Sequence, residues 1–110
     1  ADLCLRLPRQ PTGVKSLERE AWTLPRLAGQ LRLRIPRLVE AIPADDAYPQ
    51  PWLLCDWIPG EQYAPALLDD EVAAARDLAG FVAGLRALDP TGAPRAGRAP
   101  LARLDVVTRA

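Results

Sequence analysis

The stretch Trp52-Leu-Leu-Cys-Asp-Trp-Ile-Pro-Gly-Glu61 decides how the rest of the chain is read. Trp52 to Trp57 is apolar apart from Asp56, and a short apolar run bounded by turn residues predicts a buried strand. Pro59-Gly60 ends it, because proline has no amide to donate and glycine admits a sharp change of direction. A buried strand running into such a break leaves backbone amides and carbonyls just beyond its end. That edge suits a flat heterocycle held between apolar side chains. It is equally the description of an ordinary hairpin exit, and periodicity does not choose.

The elements on either side follow from changes of period. Pro43 to Pro51 holds three prolines and the pair Asp45-Asp46, which predicts a turn, and Leu38 to Ile42 supplies the other hairpin strand. Leu31 to Pro36 alternates and stops at proline, so it is expected to be extended. From about Lys15 the spacing becomes helical, with Leu17, Ala21, Leu24 and Leu27 on one side and Glu18, Arg19 and Arg26 between them. This helix should bend or end at Pro25, with Gly29 as its stop. Before it, Asp2 to Leu7 alternates, placing Leu3, Leu5 and Leu7 on one side and Cys4 and Arg6 on the other, which predicts a short strand ended by Pro8. Downstream, Asp69 and Asp70 cap a second helix whose stripe is Val72, Ala75, Ala79, Val82 and Leu85, ending near Leu88 before Asp89-Pro90. Thr91 to Pro100 reads as a loop, and Leu101 to Ala110 as the start of another helix. The order strand, helix, strand, strand, helix makes the fold class α+β.

Composition excludes several chemistries. The 110 residues carry 14 basic and 14 acidic side chains, a balance that argues against a nucleic-acid partner. No apolar run approaches the roughly 18 residues of a transmembrane helix, and nothing at the front resembles a signal peptide. There is no His, so a Ser-His-Asp or Cys-His pair and any His-ligated metal are ruled out. With no Met, Ala1 is read as an internal or processed residue, and the chain as part of something longer. Cys4 and Cys55 are too few and too far apart for a disulfide scaffold or zinc site, so they are expected to be buried free thiols of a cytoplasmic protein. Lys15 is the only lysine; the heavy use of Arg, Ala and Leu fits a GC-rich bacterial genome.

Two charged residues stand out. Arg6 is a lone cation at the centre of the first strand, where it could reach a phosphate or a helix carboxylate. Pattern alone favours a solvated side chain on the outer sheet face. Glu20 lies one turn before Leu24 and could point toward a strand, whereas spacing alone favours an exposed helix carboxylate.

Taken in order, Leu5-Arg-Leu-Pro-Arg9, Leu17-Glu-Arg-Glu-Ala-Trp-Thr-Leu-Pro-Arg-Leu27 and Trp57-Ile-Pro-Gly-Glu61 resemble the aminoglycoside phosphotransferase family. Ala96-Gly-Arg98 and Pro100-Leu-Ala-Arg-Leu-Asp105 resemble the segment after the first helix of that family's C-terminal lobe. The resemblance spans nearly the whole chain and implies a protein-kinase-like fold. Residues 1–58 would be the end of the N-terminal lobe, a small antiparallel sheet plus one helix running into the hinge. Residues 59–110 would begin the helical C-terminal lobe. It implies an ATP-dependent transfer of the γ-phosphate to a hydroxyl of a small molecule.

Residue by residue, Arg6 matches the strand lysine that contacts the α- and β-phosphates, a departure that keeps the charge but widens the head group. Glu20 matches the helix glutamate that pairs with that cation. Cys55 to Ile58 match the hinge, with the backbone of Asp56 and Ile58 on the adenine edge and Cys55 limiting pocket depth. The family's His-x-Asp loop, following Asn and later Asp, which provide the base and the Mg2+ ligands, have no counterpart here, nor has the glycine-rich hairpin. Neither Asp89 nor Asp105 has the required neighbours, so no catalytic residue and no metal ligand is nominated, and the 110 residues alone are expected to be inactive. The competing expectation is a non-catalytic α+β binding or dimerisation module, forming a homodimer through open sheet edges. The acceptor is left open among aminoglycosides, macrolides, homoserine and choline-like alcohols.

Overall fold

A computed structural model of the protein describes residues 2–95. The loop end and final helix expected over 96–110, and the resemblance of Ala96–Arg98 and Pro100–Asp105, lie outside the described residues. The elements are β1 (Leu3–Arg6), α1 (Val14–Leu27), β2 (Leu38–Ile42), β3 (Trp52–Asp56) and α2 (Glu71–Ala87), with short 3-10 turns at Pro11–Gly13 and Pro65–Leu67. The strands form one antiparallel sheet in the order β1-β3-β2. The most apolar strand therefore takes the central position, where both edges are paired.

Alternation along β3 fixes the inner face. Leu53 and Cys55 are 2% and 3% exposed, and with Leu17 of α1 they form the buried core of the described residues. Ala21, Leu24 and Leu38 pack around it. The hairpin expected between Leu38 and Trp57 forms, and its turn is held by Asp45, whose carboxylate accepts from the amides of Ala47 and Tyr48 at 2.9 and 2.8 Å. Between Leu38 and Glu40 the register slips, so Val39 is an extra residue in a bulge.

Helix α1 passes through Pro25 and closes two residues later, so only one internal amide is lost before the helix ends. It leaves through a type II turn: Ala28 at φ −54°, ψ 122°, Gly29 at φ 74°, and the Gln30 amide donating to the Leu27 carbonyl at 3.0 Å. That geometry demands a positive φ at Gly29, which only glycine adopts without strain. Leu31 to Pro36 follows as a bend, not a ladder partner.

Helix α2 begins as expected, Asp70 accepting from the Ala73 amide at 2.9 Å. Its packing face is not the expected one. Val72, Val82 and Leu85 of the apolar stripe are exposed, while Gly84 meets Leu31 so closely that a Cβ there would lie 3.1 Å from a Leu31 methyl. Glycine permits that approach, and the counting of apolar residues is blind to it. No described helix is long and apolar enough to cross a membrane.

The position of Leu53 gives a stability prediction. Leu53→Ala should cost about 3 kcal/mol in urea unfolding, because its cavity opens between β3 and α1. Leu5→Ala, on the open face where Leu5 is 56% exposed, should cost less than about 1 kcal/mol. Equal losses would show that the core does not lie where β3 meets α1.

Candidate functional site

The site is built where β1, α1 and the end of β3 converge. On β1, Cys4 and Arg6 point to the helix side and Leu3, Leu5 and Leu7 to the open face, where each is more than half exposed. The alternation is as expected, but Arg6 does not stand on the outer face and Glu20 is not a free surface carboxylate. Arg6 donates from Nε to one Glu20 oxygen at 3.1 Å and from Nη2 to the other at 2.6 Å. Strand pattern and helix pattern, read separately, each predict solvent for a charge that finds its partner only when the two elements meet.

The two parallel bonds match the planar guanidinium to the carboxylate, which a single ammonium does not do. Glu20's hydrogen bond, and then its charge, raise the Arg6 guanidinium above its ordinary range. Arg6 Nη1 is not engaged by Glu20, so one edge of the cation remains for a further ligand.

A cavity of about 420 Å³ lies beside this pair. Arg6, Glu20, Cys55, Asp56 and Ile58, the five residues singled out from the sequence, all line it. Leu24, Pro36 and Trp57 complete the apolar wall, and Cys4 faces it from β1. These four were not singled out, although two carried a signal: Leu24 is one helical turn from Glu20, and Cys4 is two residues from Arg6 on the same strand face.

The exit of β3 is held on both sides. The Asp56 amide donates to the Arg37 carbonyl at 3.0 Å, and the Trp57 amide to the Asp2 carbonyl at 2.9 Å. Asp56 can thus offer a ligand only its carbonyl, whereas the Ile58 amide has no partner among the described residues. The Asp56 side chain turns away from ligand duty. Its carboxylate accepts from the Arg37 amide and lies 3.9 Å from the Arg34 guanidinium, tying β3 to the bend after α1. Cys55 is buried, and burial, followed by the nearby charge of Glu20, pushes its thiol up. Cys4, expected to be buried, is only half-buried, because β1 is an edge strand. Among the described residues no cluster of three His, Cys, Asp or Glu side chains is placed to hold a metal.

A sequence profile described as the phosphotransferase enzyme family matches residues 1–108. The chain belongs to that family. Its α+β fold is accordingly protein-kinase-like, and the three-stranded antiparallel sheet with α1 has the make-up of an N-terminal lobe. No curated protein and no solved structure gives a match.

The strength of the Arg6–Glu20 pair is open to measurement. The side chains are 52% and 31% exposed, so solvent screens them and the pair should contribute only about 0.5–1 kcal/mol. A double-mutant cycle with Arg6→Ala and Glu20→Ala should return that coupling and lose it as salt rises. A coupling of several kcal/mol, indifferent to salt, would contradict a solvent-screened pair.

Proposed function

We propose that this cavity binds ATP, and that the chain provides the nucleotide side of a phosphotransferase acting on a hydroxyl of a small molecule. The observation that carries the reading is the bidentate Arg6–Glu20 pair lining the same cavity as Cys55 to Ile58. The donor set fits the ligand. A guanidinium whose Nη1 is not engaged by Glu20 suits phosphate oxygens, the Ile58 amide, without a partner among the described residues, and the Asp56 carbonyl suit a heterocycle edge, and Leu24 and Trp57 supply apolar walls.

In this reading ATP supplies the phosphoryl group, and the residues of this chain bind and orient it. Glu20 holds Arg6 in one direction, so the cation needs little reorganisation when phosphates arrive. Cys55 closes the back of the cavity. Residues 1–58 then belong to the nucleotide-binding lobe and its hinge, and residues 59–110 to the start of the lobe that grips the acceptor. Base and Mg2+ ligands are assigned to no residue of this chain. Such a reaction is placed in the cytoplasm, where ATP is abundant.

Titration of the full chain with an adenine nucleotide should change the fluorescence of Trp57 at the cavity wall, and Trp57→Phe should remove that change. Arg6→Ala should weaken binding about tenfold, the loss of one charged hydrogen bond. No response at about millimolar nucleotide, a binding free energy near −4 kcal/mol, would defeat the reading. The chain alone should show no ATP turnover, and measurable turnover would overturn the division of roles.

One observation favours a second reading. Among the described residues β1 has no neighbour on its outer edge, and its outer face carries Leu3 and Leu5 half exposed. An edge of this kind can pair with a second copy. Sedimentation of the chain separates the two readings: a stable dimer without nucleotide binding favours a non-catalytic dimerisation module.

A further inference from the structure

Cys4 and Cys55 take no part in the ion pair, yet both are free thiols lining the cavity. They are direct register partners of the antiparallel strands β1 and β3. Opposite residues of such a pair share one face, so the thiols point to the side that also carries Arg6. The bond from the Trp57 amide to the Asp2 carbonyl marks those two as a hydrogen-bonded pair. Two residues along, Cys4 and Cys55 form another, for which the Cα separation is about 5.5 Å. That falls inside the roughly 4.4–6.8 Å spanned by disulfides.

We propose that Cys4 and Cys55 form a thiol-modification site that closes reversibly to an intrachain disulfide when a small-molecule disulfide enters the cavity. The two thiols are not equivalent. Cys4 is half-buried at the cavity wall and meets the oxidant first, whereas Cys55 is 3% exposed and reached only from within. The Cys4 thiolate, its proton given to water, attacks one sulfur of the incoming disulfide. The sulfur–sulfur bond breaks, and one small thiol leaves with the electron pair and takes up a proton. Cys55, deprotonated in turn, attacks the Cys4 sulfur of the mixed disulfide and releases the second small thiol. Two cysteine thiols are oxidised and one disulfide is reduced to two thiols, so the electrons balance.

A hydrogen-bonded pair holds its side chains farther apart than the adjacent non-hydrogen-bonded position does. The bridge therefore draws the strands together locally, which places it with readily reduced disulfides and not with inert structural ones. Along β1 it would sit between Arg6 and the level of Trp57. If the nucleotide reading holds, closing it narrows the cavity and weakens nucleotide binding; formation of the bridge does not depend on that reading.

The test uses the full chain incubated with oxidised glutathione. The expected product is monomeric, lighter by two hydrogens, refractory to iodoacetamide, and restored by dithiothreitol. Cys4→Ser should leave Cys55 almost unmodified, and Cys55→Ser should stop at a stable glutathione adduct on Cys4. Should Cys55→Ser fail to fold by circular dichroism, Cys55→Ala carries the same comparison. A wild-type chain that accumulates stable adducts, forms disulfide-linked dimers or keeps two alkylatable thiols overturns the proposal. Nucleotide titration of reduced and oxidised protein then separates the two readings. Absence of binding by the reduced form removes the nucleotide assignment and leaves the bridge standing. Equal binding by both forms removes the effect on the cavity.

Discussion

Everything in this molecule is referred to the central strand. β3 is paired on both edges, and its inner side chains, Leu53 and Cys55, are the most buried residues described. A pleated strand puts alternate residues on opposite faces, so burying these two fixes which residues of β1 and β2 face α1. Once Leu53 is inward, its register partner Arg6 is inward too. The charge is thus carried to the helix side by the hydrophobic pattern of a different strand. A slip of one residue would send Arg6 to the open face and bring Leu5 under the helix.

The ion pair between Arg6 and Glu20 then serves orientation more than stability. Half-exposed partners in high dielectric contribute little free energy, and burial of Leu17 and Leu53 outweighs them several-fold. What the pair does is geometric. Two parallel hydrogen bonds restrict the guanidinium far more than one would, leaving its remaining nitrogen in a defined direction. Fixed charge of this kind interacts with an anionic ligand without first reorganising. The substitution of Arg for the strand lysine suggested by the resemblance is consistent with that geometry, since a planar fork engages the two carboxylate oxygens through two parallel bonds.

The elements that could be read in the sequence are those whose signal is local. The hairpin from Leu38 to Trp57, the Asp70 cap and the Gly29 stop each follow from turn chemistry or period, and each is present. The packing face of α2 could not be read, because Gly80 and Gly84 carry no hydrophobic signal yet allow the closest approach. The facing of Arg6 and Glu20 was illegible for another reason: it is a property of two elements and of the register of a third. Resemblance named the pair and the hinge together, since an ordered set of motifs encodes tertiary proximity that periodicity does not. It did not encode the commitments of the backbone at the exit of β3, where the Asp56 amide is used by Arg37, the Trp57 amide by Asp2, and the Ile58 amide has no partner among the described residues.

The carboxylates at the cavity decide what the chain can contribute to phosphoryl transfer. A base must accept a proton from an attacking hydroxyl, and it needs an oxygen that is close and not already engaged. Glu20 has both oxygens on Arg6, and Asp56 has its carboxylate on the Arg37 amide with Arg34 nearby. In both cases the oxygens that would receive a proton already face a donor or a cation. Burial pushes the Cys55 thiol up. On the proposed reading, the groups that line this cavity hold a charged ligand still, and none of its carboxylates is assigned the proton-accepting role.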